Sequence, residues 1–308
     1  MKKKLVIFNL LAIFCLFLIL PGQTRYETIT LATQTPFPSR SYFAVPTLAP
    51  MPIKFTNAQE PYLTASSAYV LDLSTGVVLL KKQENLSMLP ASTAKMMTAL
   101  VVAESFSPDQ VLTVFEEYRE GQNLKLRKGE MMTAENLLYC LLVASANDAA
   151  EVLAANFPGG REAFIKQMND FALEWGMTGS HFLNPAGVDQ DGQYSTARDL
   201  AILAKQLLKN PLLAKIVATK EYTAYSADGN LAHRMSNINL LLNQYPGVKG
   251  IKTGWTDLAG ECLVAYVEKD NQKIVSVILG SKDRFGETAL LLDWIFRNFT
   301  WEKVIQPI

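Results

Sequence analysis

The chain has 308 residues, 49% of them apolar, with 29 basic and 29 acidic side chains in balance. Such a composition supports a sizeable core and excludes a disordered chain, and zero formal net charge gives no electrostatic footing for nucleic-acid binding. The three cysteines, Cys15, Cys140 and Cys262, have no metal-site spacing; no metal or cofactor is expected, and Cys140 and Cys262 are read as buried free thiols rather than as a disulfide.

Residues 1–22 differ from all that follows. Lys2, Lys3 and Lys4 precede an apolar run from Leu5 to Leu20 that Pro21-Gly22 closes. This is the pattern of an export signal. The run is long for a cleaved signal and short for a spanning helix, so both a cleaved signal, with a weak site at Thr30-Leu31-Ala32, and a retained membrane anchor stay open. Either way the lysines face the cytoplasm, and the remainder is exported to the outer face of the cytoplasmic membrane or secreted. Cys15 follows bulky Phe14 and is not read as a lipid-attachment site. Residues 23–60 are rich in Thr and Pro; Pro36, Pro38, Pro46, Pro50 and Pro52 argue against regular structure and for a tether.

A folded domain is expected over 61–303. Ala68 to Leu73 and Val77 to Leu80, about Ser74-Thr75-Gly76, read as a β-hairpin. Helices are expected after Pro90, then over 133–143 with Thr133 as N-cap, 147–157, 160–175 and 195–209. A strand is expected at 251–254, a hairpin from 262–268 and 273–279, and a closing amphipathic helix over 287–299. Strands at both ends of a helical middle imply an α+β fold, one antiparallel sheet built from distant segments with a helical subdomain inserted.

The stretch Pro90-Ala91-Ser92-Thr93-Ala94-Lys95 organises the chemistry. On a helix, positions three apart share a face, so the Ser92 hydroxyl and the Lys95 amine meet across one turn. Ser92 also sits at a helix start, where free amides favour developing negative charge. A serine needs a base, and a lysine serves as one near neutral pH only when burial and nearby cations depress its pKa; Lys252 is the expected cation. Alone, S-x-x-K is common. Here Ser145-Ala146-Asn147 follows at the seam between two helices, and Lys252-Thr253-Gly254 lies on a predicted strand. The two histidines, His181 and His233, sit in no recognisable triad context.

Ser-x-x-Lys, Ser-x-Asn and Lys-Thr-Gly in this order are the set of penicillin-binding proteins and serine β-lactamases. Residues 64–300 resemble the serine D-alanyl-D-alanine carboxypeptidases, the low-molecular-weight penicillin-binding proteins. The match runs through Leu89 to Met96, Ala144 to Ala150, Phe182-Leu183-Asn184-Pro185-Ala186-Gly187, Ser195 to Asp199 and Gly250 to Thr256. The resemblance implies a β-lactamase/transpeptidase-like fold with a five-stranded antiparallel sheet. It implies peptidoglycan stem peptides as substrate, β-lactam antibiotics as covalent inhibitors, and contact with the cytoplasmic membrane if the N-terminal segment is retained. It implies Ser92 as nucleophile, Lys95 as base and Ser145 as proton relay. Asn147, Lys252, Thr253, Gly254 and Trp255 are implied to bind substrate, with the amides of Ser92 and Trp255 forming the oxyanion site. A D,D-endopeptidase of the same family and a serine β-lactamase are the alternatives.

Two departures from relatives stand out. Ile238, in Asn237-Ile238-Asn239, stands where some relatives carry a basic residue that helps hold the substrate carboxylate. Ser180 stands where β-lactamases carry the glutamate that activates water; Asp189 and Asp191 do not fit its spacing. The chain also stops at Ile308, before the C-terminal β-domain and amphipathic helix that many relatives add, so residues 5–20 are expected to provide any membrane attachment.

Overall fold

The structure is a computed structural model that describes residues 49–303. The N-terminal segment 1–22 and the tether up to residue 48 lie outside the described residues.

The order of elements is β1 (Met51–Lys54), β2 (Ser67–Asp72), β3 (Val78–Lys82), a 3-10 turn (Ala91–Ala94), α1 (Lys95–Ser105), β4 (Val111–Thr113), β5 (Met131–Thr133), α2 (Ala134–Leu142), α3 (Asn147–Ala155), α4 (Gly160–Glu174), α5 (Ala197–Lys209), α6 (Pro211–Val217), β6 (Glu221–Tyr225), β7 (Ala232–Ser236), α7 (Leu241–Gln244), β8 (Val248–Thr256), β9 (Gly260–Lys269), β10 (Gln272–Ser281), α8 (Arg284–Asn298) and β11 (Phe299–Glu302).

The main sheet has five strands in the order β3-β2-β10-β9-β8, and each neighbouring pair is antiparallel. Its strands come from both ends of the chain, with α1 to α7 between them, as the sequence implies. Side chains of a strand alternate between faces. In β9, Cys262 and Val264 join one apolar cluster with α1, α2, α3 and α5, whereas Leu263, Ala265 and Val267 join another with Leu291, Leu292 and Ile295 of α8. Helices therefore cover both faces of the central strands, which explains their nearly unbroken apolar sequence.

Helix α1 is the buried centre of the helical layer. Lys95, Met96, Met97, Thr98, Ala99, Leu100, Val101 and Val102 are all buried, so the helix is enclosed on every side and not only along one stripe. The Thr133 hydroxyl caps α2 as expected, and Thr196 caps α5, which starts at Ala197 and not at 195.

Two expectations change. Residues 51–54, within the expected tether, form β1 and pair antiparallel with β11, with Pro52 opposite Trp301. Proline is tolerated there because the two-stranded ribbon leaves its missing N–H on an edge. The folded chain thus begins before residue 61. The β6–β7 hairpin, with Glu221 opposite Ser236, and helix α6 are additional elements that alternation alone did not reveal.

Candidate active site

Ser92 lies in the 3-10 turn and not in the α-helix itself; Lys95 is the first residue of α1. A 3-10 turn has three residues per turn, so positions i and i+3 eclipse. The expected pairing holds more tightly for that reason: Lys95 Nζ is 2.9 Å from Ser92 Oγ. The turn is pinned below by the segment after α4. Asn184 Oδ1 accepts from Gly187 N (2.7 Å) and Val188 N (3.1 Å), a side-chain-closed turn that presents the Ala186 and Pro185 carbonyls to α1. Thr98 Oγ1 donates to Pro185 O at 2.6 Å, and Lys95 Nζ to Ala186 O at 2.6 Å. Gly187 adopts φ +77°, and a Cβ there would overlap the Ala91 carbonyl.

Lys95 Nζ also donates to Asn147 Oδ1 at 2.7 Å. Its neighbours are thus two obligate acceptors and one hydroxyl. A neutral amine has two N–H bonds and one lone pair; with the N–H bonds on Asn147 and Ala186, the lone pair faces the Ser92 hydroxyl. Burial depresses the Lys95 pKa to about 7, against the opposing pull of the Asp148 and Glu151 charges. Enclosure within α1 is the largest cause, one of the two expected from sequence; the charges of Lys95 and Lys252 also repel, which lowers the Lys252 pKa.

Ser145 lies between α2 and α3 in the left-handed conformation, φ +59°, uncommon for a non-glycine residue. Its Oγ accepts from Lys252 Nζ at 2.8 Å; Lys252 also donates to Thr253 O at 3.0 Å. Lys252 is buried, and burial together with the Lys95 and Arg284 charges holds its pKa well below the usual lysine range. The Thr253 hydroxyl is buried without a hydrogen-bond partner.

Strand β8 runs close against the 3-10 turn because residue 254 is glycine. A Cβ on Gly254 would stand 3.0 Å from both Ala91 Cβ and Ser92 N. The next residue, Trp255, leaves 57% of its surface exposed, so its side chain forms rim and not core. The structure thus joins Ser92 to Lys95 to Asn147, and Ser145 to Lys252, and brings β8 beside Ser92.

Several contributors carried no role in the sequence reading. Asn147 is fixed by the 120–126 loop: its Nδ2 donates to Glu120 O (3.2 Å) and its N–H to Gln122 O (2.6 Å). The buried Asp148 carboxylate holds that loop by accepting from Leu124 N and Leu126 N. Arg284, at the start of α8, donates to Gly254 O at 2.9 Å. The remaining residues sit elsewhere: His233 pairs with Glu130 (2.7 Å), His181 pairs by its backbone with Tyr194, and Cys140 and Cys262 are buried and free.

The sequence profile of the D-alanyl-D-alanine carboxypeptidase family matches residues 54–283. D-alanyl-D-alanine carboxypeptidase DacF of Bacillus subtilis is 35% identical over 247 residues, 76% of this chain and 63% of its own length. DacC of Escherichia coli is 32% identical over 266 residues, 81% of this chain and 65% of its own length. A D-alanyl-D-alanine endopeptidase of Pseudomonas aeruginosa is 34% identical over 241 residues, 76% of this chain and 77% of its own. The chain thus spans slightly under two thirds of the length of the first two relatives. Among solved structures, a Streptomyces DD-transpeptidase superposes with a TM-score of 0.72 at 28% identity, covering 78% of this chain and 100% of its own. A penicillin-binding protein homologue from Mycobacterium tuberculosis superposes with a TM-score of 0.74 at 30% identity, covering 79% and 95%. With the profile matched over most of the folded region and the fold shared, the chain belongs to the D-alanyl-D-alanine carboxypeptidase family.

Proposed function

We propose that this protein is a serine D-alanyl-D-alanine carboxypeptidase that removes the terminal D-alanine from peptidoglycan stem peptides, outside the cytoplasmic membrane, and that β-lactams acylate the same serine. The observation that carries the reading is the buried Lys95 amine, held by Asn147 and Ala186 with its third position on Ser92 Oγ.

Ser92 Oγ attacks the carbonyl carbon between the two D-alanines as neutral Lys95 takes its proton. The negative oxygen is received by the Ser92 and Trp255 amides; donors aligned on a developing charge contribute roughly 3–4 kcal/mol each. The carbon–nitrogen bond then breaks, and the leaving amine of D-alanine takes a proton through Ser145, which Lys252 orients. Lys252 and the unpartnered Thr253 hydroxyl receive the terminal carboxylate, and Arg284 adds positive charge at the same strand. The carboxylate supplies a counter-charge for Lys252 that the free site lacks. Water finally hydrolyses the Ser92 ester and regenerates the hydroxyl.

Cleavage of D,D-crosslinks uses the same residues, and the endopeptidase named among the relatives makes that the second reading. Incubating the full chain with a pentapeptide and with a crosslinked dimer separates them. Free D-alanine from the pentapeptide, absent with Ser92→Ala, supports the carboxypeptidase. Cleavage of the dimer alone overturns it in favour of the endopeptidase.

A further inference from the structure

Asp148 follows Asn147 in the first turn of α3 and is buried, with 1% of its surface exposed. Among the described residues it forms no ion pair. Backbone N–H groups meet its carboxylate instead. Oδ2 accepts from Leu124 N (3.0 Å) and Leu126 N (3.1 Å), and Oδ1 from Ala149 N (3.0 Å). A carboxylate buried without a cation is costly, so its place one residue from Asn147 calls for a use.

Two of those donors converge because the residue between them is left-handed. Lys125 has φ +60°, uncommon for a residue with a Cβ, and that conformation turns the Leu124 and Leu126 amides toward one oxygen. The loop thus adopts an unfavourable backbone to grip Asp148. At its other end it grips Asn147. Gln122 O and Glu120 O accept from the backbone and side-chain N–H groups of Asn147. Gly121, at φ +64°, lies so close that a Cβ there would stand 2.6 Å from Asn147 Nδ2. With Nδ2 engaged by the loop, Oδ1 is left for Lys95 Nζ. One chain of bonds therefore runs from the Asp148 carboxylate through the loop to Asn147, and from Asn147 to Lys95.

We propose that Asp148 is a positioning residue of the acylation step: through the 120–126 loop it fixes the Asn147 side chain, and thereby aims the Lys95 lone pair at Ser92 Oγ. Its hydrogen bonds all come from backbone amides, so it acts only through other residues. The inference rests on Lys95 as the base of the proposed mechanism. The Asp148 charge supplies a readout that scaffolding alone lacks. Burial favours the neutral Lys95 amine, and the Asp148 and Glu151 charges oppose it. Glu151 is held by Arg161 at 2.7 Å. The other ionisable groups around the two residues are Lys252 on β8, Cys140 on α2, and Glu117 and Tyr118 in the cavity beside Asp148. Removing the Asp148 charge should therefore let Lys95 lose its proton more easily.

The test follows acylation of the full chain by a chromogenic cephalosporin across the acid limb, resolving initial binding from the acylation rate constant. In Asp148→Asn a neutral oxygen holds Leu124 and Leu126 less strongly, and the amide nitrogen opposes Ala149 N. The rate constant should fall about ten-fold with initial binding unchanged. The acid limb should move to lower pH, by about 0.5 or more. Gly121→Ala keeps the charge but drives a Cβ toward Asn147 Nδ2 from an exposed stretch of loop. It should slow acylation by about ten-fold and leave the limb in place. A merely structural role would lower the melting temperature or the fraction of chain that labels, without moving the limb. An unmoved limb or a parental rate constant in Asp148→Asn overturns the proposal. If that variant does not fold, a parental rate constant in Gly121→Ala overturns it. Lys95→Ala is the reference. Parental acylation there would refute Lys95 as the base and this role with it, whereas an inactive Lys95→Ala beside an unaffected Asp148→Asn refutes the role alone.

Discussion

Lys95 Nζ stands 2.9 Å from Ser92 Oγ because the two residues are one 3-10 turn apart, and enclosure of α1 favours the neutral Lys95 amine near pH 7. Geometry and basicity thus have separate origins, one local and one tertiary, and mutations can separate them.

Lys95→Arg should damage acylation nearly as much as Lys95→Ala, by at least about 100-fold. Arginine keeps the positive charge but stays protonated, so it has no lone pair for the Ser92 proton. Stopped-flow acylation by a chromogenic β-lactam measures this. Substantial activity in the arginine variant would show that Lys95 acts only as a charge.

The pH profile follows from the depressed Lys95. In the proposed mechanism the neutral amine is the active form, so kcat/KM for D-alanine release should fall on the acid side as pH drops through about 7 and level off above it. An unperturbed lysine would place that limb near 10.4. A profile still rising steeply between pH 8 and 10 would contradict the enclosed amine.

Gly254→Ala should leave the fold intact but slow acylation by roughly 10–100-fold. Its Cβ would press on Ala91 Cβ and Ser92 N, pushing β8 away from the turn that carries the nucleophile. Circular dichroism and the acylation rate together check this; an unchanged rate would mean that the turn yields instead.

Truncation should distinguish two cut points. Removing residues 1–48 should leave a folded domain that binds penicillin. Removing residues 1–60 deletes β1, the Phe55 N–H bond to Asn298 O (3.0 Å) and the Gln59 carbonyl that accepts from Trp294 Nε1 (2.7 Å). That shorter form should lose about 2–3 kcal/mol, or roughly 5–10 °C in Tm. Equal melting temperatures would show that the ribbon contributes nothing.

Benzylpenicillin should leave a persistent adduct on Ser92. Ser180, which the sequence spacing sets at the place of the β-lactamase glutamate, has its hydroxyl committed to Ser195 Oγ and Asp199 Oδ2, both at 2.8 Å, within the network at the start of α5. It is a poor base and already occupied; a missing general base costs about 10²–10⁴ in rate. Intact-protein mass spectrometry should show the penicilloyl mass long after mixing. Rapid repeated turnover without an adduct would favour a β-lactamase.

The sequence by itself determined the motifs that carry the family match and most of the architecture. Ser92, Lys95, Ser145 and Lys252 were legible because each motif is short and lies on a local element whose period fixes its geometry. Strand runs paired about short turns at both ends of the chain implied the antiparallel sheet for the same reason. What only the tertiary structure decided was what surrounds those motifs. The Ala186 carbonyl on Lys95, the 120–126 loop on Asn147, Arg284 on Gly254 and the pairing of β1 with β11 join segments tens to hundreds of residues apart, through backbone groups that every residue carries. A backbone carbonyl leaves no mark in composition or spacing. Which of the two expected causes of the Lys95 shift, burial or a nearby cation, leads was open from sequence for a related reason. The sequence shows a second lysine, but only packing shows that α1 is enclosed on all sides, and enclosure is what disfavours the charged amine.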